Sequence, residues 1–290
     1  MRDRFGRSLA GYDGEAAVQR GMAVGLVEEI LSHGGDSFDS VLDIGCGTGL
    51  LSREMARHLR IRKIVANDLV AACGPRAERA VEPMAGAAFS FHPGDIERLD
   101  LPPAAFDLVA SNAVFHWLDD PAGLLERLAD TLRAGGLLAF TTFGPDNLRE
   151  VATVGKTGLR YRPIDEWAAL VERRYRILHR RESREVLRFS SPRRVLEHLR
   201  RTGANGLERA GWTRGVLRTF EGEYRERCGK SGEVTLTYHP MFCVARRTDK
   251  VSQKVVTPVK TGVQKVGISQ TTGISKLGVG RHGNFLRHRH

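Results

Sequence analysis

The chain has 290 residues, of which 41% are hydrophobic and 27% are charged, and its formal net charge at pH 7 is +11. Such a chain can bury a large core, in one elaborated domain or two modest ones, without disulfides or metals to hold it. It has no apolar run near the roughly 20 residues that span a bilayer and no apolar core of a secretory signal after its first charges. We therefore expect a cytoplasmic protein with no membrane contact.

The four cysteines, Cys46, Cys73, Cys228 and Cys243, form neither a CxxC pair nor another metal-ligand spacing. This argues against a disulfide scaffold or a zinc ribbon, and no metal site is expected. Cys46 lies within a glycine-rich turn, and the sequence places no base beside it. We interpret it as a small filler residue rather than a nucleophile.

Charge is distributed unevenly along the chain. Residues 1–150 carry a net charge of −7, residues 151–247 carry +11, and residues 248–290 carry +7. Such asymmetry suggests that the basic part meets an anionic partner.

The first half of the chain alternates between helix and strand patterns. Apolar positions at helical spacing predict a helix over about 15–32, and a short strand beginning at Val41 enters a glycine-dense turn followed by a helix through Leu59. Helices then alternate with strand-bearing segments, which are KIVANDL, AFSFHPGDIERL, AFDLVASNAVFHWL and LLAFTTF. This alternation predicts an α/β fold with a doubly wound, mostly parallel sheet and helices on both faces.

Beyond Phe143 the composition changes, and the segments become rich in arginine. Helices are expected in PDNLREV, DEWAALVERR and SPRRVLEHLRR, a strand in REVLRF, and one final strand in GEVTLTYHPMFCVARR that pairs back onto the sheet. We divide the chain into a domain over 1–247, with a cofactor-binding core at 38–143 and a basic helical lid and substrate region at 144–205. Residues 248–290 are expected to form a disordered basic tail.

The glycine turn after the first strand is the strongest chemical signal. Gly45, Gly47 and Gly49 follow Asp43, while Leu50 stands where a dinucleotide fingerprint has its third glycine. Glycines let the backbone pass close beneath a ligand. A carboxylate at Asp43 would repel a pyrophosphate and attract the ammonium of an amino-acid moiety. The pattern therefore favours S-adenosylmethionine over NAD as the cofactor.

Two more acidic residues follow the next two strands. Asp68 ends the second strand, where its carboxylate can accept hydrogen bonds from both hydroxyls of a ribose. Asp95 ends the third strand and can accept from the amine of adenine, while Ile96 can cover the ring. Each alone could be a turn or cap residue, but together with the glycine turn they predict one nucleoside site.

This set resembles the class I S-adenosylmethionine-dependent methyltransferases over about 38–143, which implies a seven-stranded Rossmann-like sheet. Other segments resemble, in the same order, those of the malonyl-[acyl-carrier protein] O-methyltransferases of biotin synthesis; they are RFGRSLAGYDGEAAVQR, SNAVFHWLDDP, LLAFTTFGPDNLREV, LEHLRRTGANGL and VTLTYHPMFCVARR. His116 departs from the glutamine that relatives often have before Trp117, so no shared role is assigned to it. The tail has no recognised counterpart.

That resemblance implies methyl transfer to the free carboxyl of a malonyl thioester, carried by acyl-carrier protein or coenzyme A, on the way to the pimeloyl moiety of biotin. A carboxylate is already ionised at neutral pH and needs no general base. Arg200 is the first candidate to orient it and Arg160 the second, because a guanidinium matches a carboxylate. Asn112 is a third catalytic candidate, since it lies with Trp117 where substrates usually enter this architecture.

Further candidates carry less specific signals. Tyr12 and Gln19 could fold the first helix over the cofactor, or they could be ordinary packing residues. His116 could donate to a carboxylate, although a structural histidine is the simpler interpretation, and Tyr238 is interpreted as a strand residue.

Alternative functions remain open at this point. One is another small-carboxylate or RNA methyltransferase, and another is a basic nucleic-acid-binding module without catalysis. The basic segment contains no RNA-recognition signature and few aromatic residues for stacking, which argues against nucleic acid. Its charge would steer an acidic acyl-carrier protein.

Overall fold

The computed structural model of the protein describes residues 12–82, 86–155, 160–203 and 213–249. The chain divides into two units, Met1–Gln253 and Lys254–His290. The second unit, and nearly all of the predicted disordered tail, lie outside the described residues.

Ten strands are found in the described part of the chain: β1 (Ser37–Ile44), β2 (Arg60–Asp68), β3 (Ala88–Pro93), β4 (Phe106–Ser111), β5 (Leu132–Phe143), β6 (Tyr175–Glu182), β7 (Glu185–Phe189), β8 (Gly229–Lys230), β9 (Glu233–Tyr238) and β10 (Pro240–Arg247). Seven of them form one sheet in the order β3-β2-β1-β4-β5-β10-β6. The pairs among β1 to β5 are parallel, and β10 runs antiparallel to both of its neighbours. The predicted seven-stranded, mostly parallel sheet is confirmed.

The α-helices of the described residues are α1 (Tyr12–Glu15), α2 (Ala17–His33), α3 (Leu50–His58), α4 (Gly74–Val81), α5 (Pro121–Thr131), α6 (Arg149–Gly155), α7 (Ile164–Val171), α8 (Pro192–Arg201) and α9 (Arg214–Cys228). Several of these helices begin at N-cap residues that can be recognised in the sequence. Asp120 accepts from the N–H of Gly123 at the start of α5, and Ser191 accepts from the N–H of Arg194 at the start of α8. Proline follows each cap at the first helical position, where its missing N–H costs nothing.

Helices cover both faces of the sheet, so alternating strand residues enter two apolar cores. Val41 and Leu108 belong to the cluster that includes α2 and α3. Leu42 and Val109, one position along, belong to the cluster that includes α5 and α7. The doubly wound architecture is therefore confirmed residue by residue.

The segment between β5 and β10 is more than a set of helices. It supplies the edge strand β6 and a second, antiparallel sheet in the order β7-β9-β8. The prediction of one final strand over 232–247 was wrong, because β9 lies in the small sheet and β10 in the large one. The break falls at His239, whose carbonyl accepts from the N–H of Gly144 (2.8 Å), and Pro240 has no N–H to donate to a ladder.

The helix predicted in PDNLREV begins only at Arg149. Its predecessor Leu148 has a φ of +56°, a left-handed conformation that cannot belong to a right-handed helix. The N–H of Leu148 donates instead to the carbonyl of Thr237 (2.7 Å). This contact ties the end of β5 to the small sheet.

Candidate active site

A cavity of about 440 Å³ lies beyond the carboxyl ends of the parallel strands. It sits where β1 has β2 on one side and β4 on the other, which is the point of reversed strand order where ligands bind in open α/β sheets. Its walls come from the turns after β1, β2, β3 and β4, from Tyr12 and Gln19 on the first two helices, and from Thr202 and Gly203 after α8.

The glycine turn forms the floor of this cavity with conformations that other residues resist. Gly45, Gly47 and Gly49 have φ values of +66°, +54° and +87°. A Cβ on Gly45 would lie 2.3 Å from Cγ2 of Val114, and one on Gly49 would lie 2.8 Å from Cα of Ala77. The turn is therefore glycine-dependent for its backbone conformation and for its close packing.

Asp68 lies at the end of β2, on the wall of the cavity, as predicted. Its Oδ2 accepts from the N–H of Gly47 (2.9 Å) and its Oδ1 from the N–H of Val70 (2.8 Å). Burial raises the pKa of this carboxyl, while these two backbone hydrogen bonds and one from the Cys73 thiol oppose that rise. An ionised carboxylate has about four acceptor positions. The two backbone N–H groups and the Cys73 thiol occupy three of them, so at least one remains for a ribose hydroxyl.

Asp95 and Ile96 also line the cavity. Oδ1 of Asp95 accepts from the N–H of Glu97 (3.0 Å), and its Oδ2 lies 3.5 Å from Nε of Arg98. These contacts hold the Asp95 carboxylate in position at the cavity, and the Asp95 side chain is 41% exposed. Ile96 is buried and presents an apolar surface of the kind that a purine ring would cover.

Asp43 occupies a different place from the other two acids. It is fully buried and is not among the residues that line the cavity. Ser52 Oγ donates to its Oδ2 (2.5 Å), and its Oδ1 has no hydrogen-bond partner among the described residues. Burial raises the pKa of Asp43 to about 7. The predicted attraction of Asp43 for a ligand ammonium would therefore act across the glycine turn, since Asp43 does not line the cavity.

Helix α2 covers the cavity and is held there by Asn112. The Asn112 side-chain amide donates to the backbone carbonyl of Gln19 (2.9 Å), and its carbonyl oxygen accepts from Oγ1 of Thr141 (2.6 Å). Gln19 itself is buried in the wall, and its Oε1 has no partner among the described residues. A buried acceptor on the cavity wall is free to receive a donor from a ligand.

The opposite end of the cavity is aromatic. His116, Trp117 and Phe143 line it, and the His116 ring lies 5.1 Å from that of Phe143 and 5.8 Å from that of Tyr161. Burial lowers the pKa of His116 to about 3. This histidine is therefore neutral at physiological pH.

Several predicted residues lie away from the cavity. Arg200 and Arg160 are exposed, and neither lines it. Tyr238 is buried outside it and lies 2.9 Å from Nε2 of His198. Cys46 lines the cavity, and burial raises the pKa of its thiol far above neutrality, in keeping with its interpretation as a filler.

Sequence reasoning missed Val114, Thr202 and Gly203 as lining residues. Thr202 and Gly203 belong to the RRTGAN segment that carried part of the family resemblance, and that was the available signal. Val114 lies in the SNAVFHWLDDP segment, which carried part of the same resemblance.

The residues present are suited to S-adenosylmethionine. The glycine cradle admits close backbone contact, Asp68 retains acceptor capacity for a ribose hydroxyl, and the orphaned Oε1 of Gln19 can accept from an ammonium. The cavity volume of about 440 Å³ is within the usual range for ligand sites.

Comparison with known proteins agrees with this geometry. Residues 42–140 match the family model described as a methyltransferase domain. A Bacillus halodurans protein solved as a candidate methyltransferase superposes with a TM-score of 0.57 at 16% identity, over 77% of this chain and 97% of that one. The YcgJ protein of Bacillus subtilis gives 0.55 at 13% identity, over 78% and 98%. These likenesses concern the fold.

Two curated relatives are much more similar in sequence. The malonyl-[acyl-carrier protein] O-methyltransferase of Chlorobium luteolum is 41% identical over 253 residues, which are 87% of this chain and 96% of that protein. The protein of the same name from Haemophilus influenzae is 34% identical over 250 residues, or 85% and 93%.

Fold and site together define a class I methyltransferase, an enzyme with S-adenosylmethionine as its methyl donor. Within that class, the chain belongs to the malonyl-[acyl-carrier protein] O-methyltransferase family. The family and the cofactor predicted from the sequence are confirmed.

Proposed function

We propose that the protein methylates the free carboxyl of a malonyl thioester on acyl-carrier protein, an early step toward the pimeloyl moiety of biotin. The 41% identity to a malonyl-[acyl-carrier protein] O-methyltransferase over 87% of the chain carries this proposal. The site supports it, because the aromatic end of the cavity offers a neutral His116 in place of a strong base, and a carboxylate nucleophile requires none.

S-adenosylmethionine, when bound, supplies an electrophilic methyl group on a sulfonium. The protein's part is to bind and orient. Asp68 holds the ribose, Asp95 and Ile96 receive the adenine, and Gln19 accepts from the amino-acid end. Trp117 and Phe143 exclude water from the space where the carboxylate oxygen approaches the methyl carbon, and such positioning accounts for much of the rate in group transfer.

The orienting cation for the malonyl carboxylate remains a proposal. Arg200 lies two residues before Thr202, which lines the cavity, so a turn of the end of α8 would bring its guanidinium inward. Arg160 is the second candidate. Asn112 is less available, since both ends of its amide are already engaged by protein groups, and we now assign it to holding α2 in place.

The exposed surface of α8 and α9 supports an acidic protein partner. Among the described residues, Arg200 on α8 and Arg214, Arg218 and Arg225 on α9 are exposed and have no carboxylate within 4.0 Å. Unpaired cations on one region raise the rate of encounter with an oppositely charged partner, in a salt-dependent way. Acyl-carrier protein, a strongly acidic helical bundle, is such a partner.

A cytoplasmic setting is part of the proposal. All four cysteines are free, as expected in a reducing compartment. No described helix has both the length and the apolar character needed to cross a membrane.

A labelled-donor experiment tests the proposed reaction. The protein is incubated with methyl-labelled S-adenosylmethionine and, separately, malonyl-acyl-carrier protein, malonyl-coenzyme A, acetyl-acyl-carrier protein or bulk RNA. We expect label in the malonyl substrates and none in the acetyl control, which lacks a free carboxyl. Label found only in RNA would overturn the proposal.

Charge reversal tests the partner. In Arg214→Glu/Arg218→Glu we expect the KM for malonyl-acyl-carrier protein to rise at least about tenfold at low salt, with that for malonyl-coenzyme A unchanged. The matched control is Arg60→Glu/Arg62→Glu, which makes the same change of charge at two exposed arginines of β2 that pair with Asp36 and Asp39. An equal loss in both variants would show that net charge, rather than this surface, matters.

A further inference from the structure

A cluster of two histidines and one glutamate joins α2 to the edge strand β6, away from the cavity residues. Glu29 and His33 are one turn apart on α2, and His179 comes from β6. The two imidazole rings stack with centroids 4.6 Å apart and an interplanar angle of 14°. Helix and strand thus bring three potential ligand atoms together from distant parts of the sequence.

Two of the three distances among those atoms match a transition-metal site, and all three are within 4.8 Å. Oε2 of Glu29 lies 3.5 Å from Nδ1 of His33 and 3.4 Å from Nε2 of His179. In a tetrahedral site with bonds of about 2.0–2.1 Å, neighbouring ligand atoms are about 3.4 Å apart. Nε2 of His179 is moreover buried and makes no hydrogen bond with the described residues. An ion at this point would satisfy it.

Neighbouring residues already orient the carboxylate. Nε of Arg181 donates to Oε1 of Glu29 (2.5 Å), which leaves Oε2 directed at the two imidazoles. The Arg181 guanidinium is itself fixed over the ring of Phe242, 3.7 Å from its centroid. Residues of this kind, which contact the ligands rather than the ion, set ligand orientation in metal sites.

We propose that Glu29, His33 and His179 bind a divalent ion of the zinc class. Imidazole with one carboxylate suits Zn²⁺ and its transition-metal neighbours rather than Mg²⁺ or Ca²⁺, which prefer oxygen ligands alone. The imidazoles are about one-third exposed, at 31% and 33%, which leaves room for water as the fourth ligand. A metal binds in the plane of an imidazole, so the His33 ring would turn out of its stack with His179. Its Nδ1 would then exchange its 3.1 Å contact with the carbonyl of Glu29 for the ion.

The ion would pin α2 to β6 and so stabilise the helix that covers the cavity. It takes no part in methyl transfer, and the proposal does not depend on the substrate. This differs from the absence of a metal site expected from the sequence. That expectation rested on cysteine spacing, which carries no information on a Glu-His pair completed by a residue from β6.

Zinc binding to the full chain tests the site. By competition with a chromophoric chelator, we expect one tight equivalent of Zn²⁺. Its affinity should fall more than about 100-fold in His179→Ala, His33→Ala and Glu29→Gln, since losing even a residue that only orients a ligand costs about 10–100-fold.

The control for zinc binding is His58→Ala. His58 and Glu54 form the same i,i+4 pair, with Nε2 of the histidine 3.8 Å from Oε2 of the glutamate. Within the described parts of the chain, however, no third side chain completes a ligand group around that pair. We therefore expect His58→Ala to bind zinc as tightly as the wild type.

Thermal unfolding supplies an independent readout. Saturating Zn²⁺ should raise the Tm of the wild type and of His58→Ala, and leave that of His179→Ala unchanged, because an ion stabilises only the state that binds it. His282, His288 and His290 are present in every variant and so contribute a constant background. Equal zinc affinity in the wild type and His179→Ala, or no tight equivalent in the wild type, would overturn the proposal.

Discussion

Nε2 of His198 lies 2.9 Å from the hydroxyl of Tyr238, and its Nδ1 lies 3.1 Å from Oε2 of Glu15. Three segments far apart in sequence, the first helix, the end of α8 and the end of β9, thereby meet at one buried histidine. The first of these helices begins with Tyr12, which lines the cavity. The link therefore connects α8 and β9 to α1, and through Tyr12 to the wall of the cavity.

Tyr238→Phe should weaken that link. The loss leaves a buried imidazole nitrogen without a partner, at a cost of about 1–3 kcal/mol in unfolding free energy, and we expect the KM for S-adenosylmethionine to rise several-fold. Tyr175→Phe is the matched control, because the Tyr175 hydroxyl also donates within the fold, to the carbonyl of Leu125 (3.0 Å). A similar KM increase in both variants would indicate general destabilisation.

Asp68→Ala should severely weaken cofactor binding. The variant loses a ribose contact and the hydrogen bond that holds the N–H of Gly47 in the turn. Hydrogen bonds to a charged acceptor are worth about 1.5–3 kcal/mol each, so we expect at least about a 100-fold loss of affinity by titration calorimetry. Asp36→Ala, which removes an exposed acid paired with Arg60, should bind normally. Unchanged affinity in Asp68→Ala would contradict the ribose assignment.

Gly45→Ala should abolish cofactor binding. The added Cβ would clash with Val114, and the positive φ of this residue would strain the backbone. Gly135 has a similar φ, +71° against +66° for Gly45, but a Cβ there meets nothing within 4 Å. Gly135→Ala therefore isolates the cost of conformation alone. We expect both variants to lose stability in urea unfolding, and only Gly45→Ala to lose cofactor affinity.

Asp43 should make stability depend on pH. Its pKa is raised by burial to about 7, against about 3.9 when unfolded. Between these values the folded protein holds a proton that the unfolded chain has released, so the unfolding free energy falls as pH rises.

Asp43→Asn removes this dependence. Between pH 5 and pH 8 the wild type should lose about 3 kcal/mol relative to the variant, since each pKa unit is worth about 1.4 kcal/mol. Urea unfolding at the two pH values measures the difference, with Asp36→Asn as an exposed control. Parallel curves for wild type and Asp43→Asn would contradict a raised pKa.

The sequence was most informative where a recognisable motif lies at the carboxyl end of a strand. The glycine turn, Asp68, Asp95 and Ile96 could be predicted because parallel strands bring their carboxyl ends to one edge of a sheet. Asp43, in the same motif, was expected beside the ligand. The structure buries it, because Asp43 lies within β1 rather than in the turn that follows, and helices cover both faces of the sheet there.

Elements of the basic segment were harder to predict. The sequence RRYRILHRR covers most of β6. Its charges are typical of a protected edge strand, and they obscure the alternation of apolar and polar residues by which a strand is recognised. Helix α9 buries only Phe220 and Tyr224, too few to produce a clear helical pattern. The pairing of His198 with Tyr238 and Glu15 depends on tertiary contacts that no local spacing encodes.

The position of β10 has a consequence for biosynthesis. This strand, the last of the described ones to leave the ribosome, lies between β5 and β6, so neither neighbour can complete its ladder until residues 240–247 have emerged. Until then the long buried edge of β5 is an open template for aberrant pairing. Nonsense mutations before Pro240 should thus yield aggregation-prone nascent chains rather than shortened enzymes.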